Sequence, residues 1–273
     1  MIQWYPGHMA KAKREVKENL KKVDLVIETL DARIPQSSRN PDLKELLDNQ
    51  EHLIVLNKID LAVPNITDKW KKNLSQEASV VLVNSIKKKG INKLLNKLNE
   101  KASAKKRIKS LKVMILGVTN VGKSALINAL AGSGKAKTGK KPGVTRGQQW
   151  IKVNKQIYLM DTPGILWPKF EDKEVSYKLA LTGAINKDVF DTELAAYKLI
   201  EYLMEISPEK LEKQYDININ YEEPYDVLKL IGRNRGCLMS CGKIDKNRAS
   251  NIILNDFRKG EFERISLEKP VEE

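Results

Sequence analysis

Three short groups of residues in this chain have the types and spacing needed to hold a nucleoside triphosphate. In Gly117-Val118-Thr119-Asn120-Val121-Gly122-Lys123-Ser124 the form is Gly-x4-Gly-Lys-Ser. Glycines at this spacing let backbone N–H groups turn inward around phosphates. Lys123 would be a point charge for the β- and γ-phosphates, and the Ser124 hydroxyl a ligand of Mg²⁺. Asn120, Val121, Gly122, Lys123, Ser124 and Ala125 form the predicted phosphate-contacting run. Further on, Asp161-Thr162-Pro163-Gly164 has the form Asp-x-x-Gly. Asp161 would hold the metal through water and the Gly164 N–H would sense the γ-phosphate. Between them, Thr145 in the polar turn Lys140-Lys141-Pro142-Gly143-Val144-Thr145 would complete the Mg²⁺ shell, with Thr138 as the competing residue.

The third group, Asn57-Lys58-Ile59-Asp60, chooses the base. The Asp60 carboxylate can accept both the N1–H and the exocyclic N2–H of guanine, whereas adenine would leave it unpaired. Discrimination of that kind reaches on the order of 10⁴-fold. Asn57 is predicted to meet the far edge of the base and the Lys58 stem to cover the ring. Asn84-Ser85-Ile86, after a further apolar run, would bring the Ser85 backbone to guanine O6. The cofactors implied are GTP or GDP with Mg²⁺. Asn120 adds a further expectation: its side-chain oxygen, with phosphate oxygens, could hold K⁺ where an arginine finger's charge would otherwise lie. The alternative is a plain loop asparagine.

The loops must sit at the carboxyl ends of parallel strands, where ligands of such sheets bind. Val23–Asp31, His52–Leu56, Val80–Val83, Val113–Leu116 and Ile157–Met160 read as strands, and segments such as Asp42–Asp48, Ile91–Lys101 and Ala125–Ala131 as helices. This alternation predicts an α/β, mostly parallel sheet. The base reader precedes the phosphate loop, the reverse of the usual order, so the fold class is a circularly permuted P-loop GTPase domain. Lys101–Lys112 would join the old termini. After Lys169 the rhythm turns helical, over Lys173–Leu181, Asp191–Glu205, Pro224–Ile231 and Lys246–Phe257. Leu194, Tyr197, Leu199, Ile200 and Leu203 are expected to form one core face there. The organisation expected is a basic arm over 1–21, a permuted G domain over 22–170 and a small all-helical domain over 171–273.

With these motifs, Trp4-Tyr5-Pro6-Gly7-His8-Met9, Asp31-Ala32-Arg33-Ile34-Pro35, Asp161–Phe170 and Arg235-Gly236-Cys237-Leu238-Met239-Ser240, the chain resembles the circularly permuted GTPases, and within them the bacterial ribosome-biogenesis GTPase A family. The resemblance implies a GTPase acting late in assembly of the large (50S) ribosomal subunit, with a helical domain contacting rRNA.

Composition agrees. A formal net charge of +14 over 273 residues suggests a polyanionic partner. Arg233, Arg235, Lys243, Lys246, Arg248, Arg258, Lys259 and Arg264 concentrate that charge near the bend Gly232–Gly242. A precursor of the large subunit and its rRNA are the expected partners, with neither DNA nor membrane, and the chain is expected to be a cytoplasmic monomer. No apolar stretch approaches a membrane span, and Cys237 and Cys241 read as ordinary free thiols.

Many GTPases orient the attacking water with a glutamine just after Asp-x-x-Gly, but here that position is Ile165. His8 is the candidate catalytic group, since an imidazole can accept from water near neutral pH, and the family resemblance implies the same role. The alternative is that His8 caps a turn or touches RNA. The rival function is a nucleotide-gated rRNA placeholder whose hydrolysis is incidental.

Overall fold

The computed structural model describes residues 14–41, 46–47, 50–104, 110–132, 149–162, 164, 172–220, 222–240 and 242–271. His8, Thr138, Thr145, Ile165–Phe170 and most of the expected Asp42–Asp48 helix lie outside them.

A six-stranded sheet has the order β3-β2-β1-β4-β6-β5, from β1 (Leu25–Asp31), β2 (His52–Asn57), β3 (Ser79–Leu82), β4 (Leu111–Leu116), β5 (Gln149–Lys152) and β6 (Ile157–Asp161). Every neighbouring pair is parallel except β5 with β6. The expected strands are all present within a residue or two. The short antiparallel β5 was not expected, nor was the helix α1 (Pro64–Leu74). The other helices of this part are α2 (Ile91–Ala104) and α3 (Lys123–Ala131).

The strands read as nearly continuous apolar runs because the sheet is buried on both faces. Alternate residues go to opposite sides. Leu25 and Ile27 of β1 with Val113 and Ile115 of β4 pack on Leu94 and Leu98 of α2 and Leu126 and Ile127 of α3. Val26, Met114, Leu116 and Met160 face the other way, onto Val16 of the helical residues 14–20. From β1 the chain steps outward through β2 and β3, then returns to set β4 on the opposite side of β1. The β1/β4 boundary is therefore the switch point of the sheet, where a crevice opens at the carboxyl ends.

The helical part comprises α4 (Lys173–Leu181), a short 3-10 turn (Lys187–Val189), α5 (Thr192–Ile206), α6 (Pro208–Tyr215), α7 (Pro224–Asn234) and α8 (Lys246–Lys259). Aspartates start α4, α5 and α8: Asp172, Asp191 and Asp245 each accept from a first-turn backbone N–H. The core face of α5 is Ala195, Ala196, Leu199, Ile200 and Leu203. Leu194 departs from the expectation, for it is 43% exposed and Tyr197 only borders the core. The two alanines, with Ala249 of α8, are buried in the same core.

Residues 265–268 run from the helical core, where Ile265 is buried, to the sheet's ligand loops. Ile265 N–H donates to Leu61 O (2.9 Å) and Leu267 N–H to Arg33 O (2.9 Å). The Glu268 carboxylate accepts from Gln36 N–H (2.8 Å) and from the Ser37 hydroxyl. Trp70 Nε1–H donates to Glu268 O (3.1 Å). Residues 265–268 thus tie the helical core to the loops of the sheet.

Candidate nucleotide site

The carboxyl ends of β1, β2, β4 and β6 deliver Asp31, Asn57, Gly117 and Asp161 to one rim of the sheet. The base-reading and phosphate loops are tied together there. Asn57 Nδ2–H donates to Val121 O (2.9 Å), and Lys58 Nζ donates to Asn120 O. Lys58 and Asn120 both have left-handed backbones, with φ of 61° and 60°. Such conformations cluster where surrounding structure holds a functional loop in place.

Asn57, expected on the base edge, spends one Nδ2–H and its Oδ1 within the scaffold. Its Oδ1 accepts from the Ser85 N–H (3.1 Å) and hydroxyl (2.9 Å). Ser85 is buried, and both of its donors serve Asn57 instead of reaching outward to guanine O6. The pair fixes the phosphate loop against the end of β2. Asp60, half-buried, lies within the turn closed by Leu61 N–H to Lys58 O (2.9 Å).

Lys58 has a further partner that sequence reasoning left without a role. Its Nζ lies 2.9 Å from Asp31 Oδ2 at the end of β1. Arg33 folds back on the same carboxylate, with Nε and Nη2 at 3.0 and 2.8 Å. Burial alone would raise the Asp31 carboxyl, but Arg33 and then Lys58 outweigh it and hold it well below the usual carboxylate range. An aspartate closing an apolar strand, followed two residues later by arginine, was the available signal. Arg33 also reaches the helical domain, donating to Phe257 O (3.3 Å) with its guanidinium 5.0 Å from the Phe257 ring centroid.

Lys123 opens α3 and is buried, its ammonium held by Gly117 O (3.0 Å) and Val118 O (2.8 Å). Burial pushes it down to about 8, with Asp161 pulling the other way. Asp161 is raised by burial, opposed by Lys123, and its Oδ1 is buried without a partner among the described residues. An unpartnered carboxylate oxygen beside a phosphate loop fits a hard cation. Asp161 and Ser124 would hold Mg²⁺, which supplies charge neutralisation at the phosphates. Gly164 approaches the loop so closely that a Cβ there would lie 2.8 Å from Thr119 N. His8 and Thr145 lie outside the described residues.

A family model described as "50S ribosome-binding GTPase" matches residues 112–227. The match begins at the strand before the phosphate loop and leaves residues 57–60 outside. A model written in the ordinary motif order would align this way with a rotated chain. Ribosome biogenesis GTPase A of Bacillus pumilus is 44% identical, over 98% of this chain and 99% of its own length. The protein of the same name in Thermotoga maritima is 31% identical, over 98% and 95%. A GNP-bound YlqF crystal structure from T. maritima superposes with TM-score 0.70 at 27% identity, covering 96% of this chain and 100% of that one. The convergence of a guanine-reading and a phosphate-binding loop, in rotated order and over a full-length likeness, places this chain in the ribosome biogenesis GTPase A family.

Proposed function

We propose that this chain binds GTP with Mg²⁺ at the β1/β4 rim and hydrolyses it while bound to a precursor of the large ribosomal subunit. The observation that carries this reading is the Asn57–Val121 bond, which joins a base-reading loop and a phosphate loop in one cradle. Asp60 reads guanine, Lys123 and the 120–125 backbone hold phosphate, and Asp161 and Ser124 hold the metal with Thr145. His8 supplies the acceptor for the attacking water that Ile165 cannot. A cytoplasmic location follows from that partner. No described helix is long and apolar enough to cross a membrane.

The helical domain offers the surface for rRNA. Tyr225 is 42% exposed, with Lys229 Nζ and Lys246 Nζ at 3.9 and 4.6 Å from its ring centroid. Leu238 and Met239 stand out from the neighbouring bend, between Arg235 and Lys243. Cations beside an exposed aromatic ring suit phosphate contact and base stacking. Binding to large-subunit particles should be tighter with a GTP analogue than with GDP. It should weaken with salt at a log–log slope of roughly 0.7–0.9 per phosphate contacted. Sedimentation with particles at several salt concentrations measures both, and equal binding in the two nucleotide states would remove the gating.

Hydrolysis measured with and without particles tests the enzyme against the placeholder reading, which gains if particles give no stimulation. His8→Ala should bind particles normally yet lose about 10²-fold of particle-stimulated turnover. Full stimulation in that variant would exclude His8 as the water-orienting group. Potassium is the remaining ligand. The Asn120 amide nitrogen is spent on Thr182 O (2.7 Å), so the end left to meet a cation is the amide oxygen. Replacing K⁺ by Na⁺ at constant ionic strength should slow hydrolysis, and equal rates would remove K⁺ from the mechanism.

A further inference from the structure

The phosphate loop does not rest on the sheet alone. Just past its C-cap Thr182, helix α4 turns left-handed: Gly183 N–H donates to Ala180 O (3.0 Å) and Ala184 N–H to Leu179 O (2.8 Å), with Gly183 at φ +78°. This paired-bond ending fixes the backbone of the turn, and with it the directions of the carbonyls that follow the helix. Two of them meet the phosphate loop. Thr182 O accepts from Asn120 Nδ2 (2.7 Å), and Ala184 O accepts from the Thr119 hydroxyl. Val118 and Val121 of the same loop pack on Leu179, Ala180, Ala184 and Ile185.

The turn is held from behind by a residue of α8. Arg258 Nη2 donates to Ala180 O (2.7 Å) and Nε to Leu181 O (3.0 Å). A cation there also suits the negative end of the α4 dipole. Gly183 is pressed between the two sides: a Cβ on it would lie 2.9 Å from Asn120 Nδ2 and 3.3 Å from Arg258 Nε.

We propose that Arg258 is a positioning residue for the phosphate loop, acting through the Ala180–Ala184 turn on Thr119 and Asn120. Nucleotide affinity is then set partly from the helical domain, and a partner that moves α8 changes the cradle without touching nucleotide. Arg258 was counted among the basic residues expected at an RNA surface. Its guanidinium instead faces inward, where burial and then Arg33 lower its pKa from the usual arginine range. The proposal rests on residues 117–124 being the phosphate loop.

The test is titration of fluorescent GDP into the full chain. Arg258→Gln and Thr119→Val should each weaken binding about 5- to 30-fold, and Thr119→Ser should restore it. The double variant should bind no more weakly than the weaker single one, because both remove the same support. Losses that multiply, or an Arg258→Gln chain that melts earlier yet keeps parental affinity, would overturn the proposal. Should Arg258→Gln fail to fold, Arg258→Lys keeps the charge with a single prong; an intermediate loss supports the proposal and parental affinity overturns it. Lys123→Ala is the control. If it still binds GDP at parental affinity, the assignment of the loop itself is wrong and the proposal falls with it.

Discussion

Asp60→Asn should cost GTP on the order of 10³-fold in affinity, about 4 kcal/mol, while making the chain a binder of xanthosine triphosphate. A carboxylate has two acceptors for the two guanine donors. An asparagine amide presents one acceptor and one donor, so its N–H would face the guanine amino group. Xanthine carries a carbonyl at that carbon, which the amide N–H can satisfy while its oxygen takes the ring N–H. The exchange should spare the fold, because Asp60 lies in the half-buried turn beyond β2 and the scaffold bonds of this loop belong to Asn57 and Lys58. Competition of the two nucleotides for parent and variant measures the swap. A variant that still prefers GTP would mean that another residue reads the base.

How much of this was legible in the sequence depends on how local the signal is. A strand buried on both faces announces itself as an apolar run, and β1, β2, β4 and β6 were found for that reason. β5 has four residues at the sheet edge with Trp150 41% exposed, too short and too mixed to register. α1 begins at Pro64 and buries Thr67, Trp70 and Leu74 among lysines, a thin stripe for an eleven-residue helix. In α5 hydrophobicity pointed to Leu194, but close packing is made by Ala195 and Ala196, whose value lies in being small.

The site shows the same division. Motif spacing located the two loops because each is a contiguous run of residues with local backbone demands. What holds them together is long-range. Asn57 bonds Val121, Asn120 bonds Thr182, and Glu268 caps the Gln36–Ser37 backbone 231 or 232 residues away. No local pattern carries such pairs. The scaffold role of the Asn57 amide therefore went unread, and Arg258 was counted with an RNA surface when it braces a turn.

Lys123→Met should abolish nucleotide binding while changing the heat resistance of the nucleotide-free chain little. The reason is the burial of an ammonium whose pKa has fallen from 10.5 to about 8. That difference corresponds to roughly 3 kcal/mol spent keeping Lys123 charged in the fold at neutral pH. Because the folded value lies below the unfolded one, this cost is full below about pH 8 and is relieved as pH rises toward 10.5. Methionine keeps the length of the stem without the charge, though it leaves Gly117 O and Val118 O without their donor. Those two losses, about 1–3 kcal/mol each, are of the same size as the gain, so the expected shift of the melting midpoint is small. Nucleotide changes the comparison. At a ligand concentration of 100 Kd the parent should gain about 2.7 kcal/mol, and the variant nothing at the same concentration. The parent's affinity should also fall as pH rises above about 8, when the free ammonium loses its proton before phosphate can pair with it. Thermal melts with and without GDP at pH 7 and pH 9 check all of this. A ligand-induced shift in Lys123→Met equal to the parent's would place the phosphate site elsewhere in the chain.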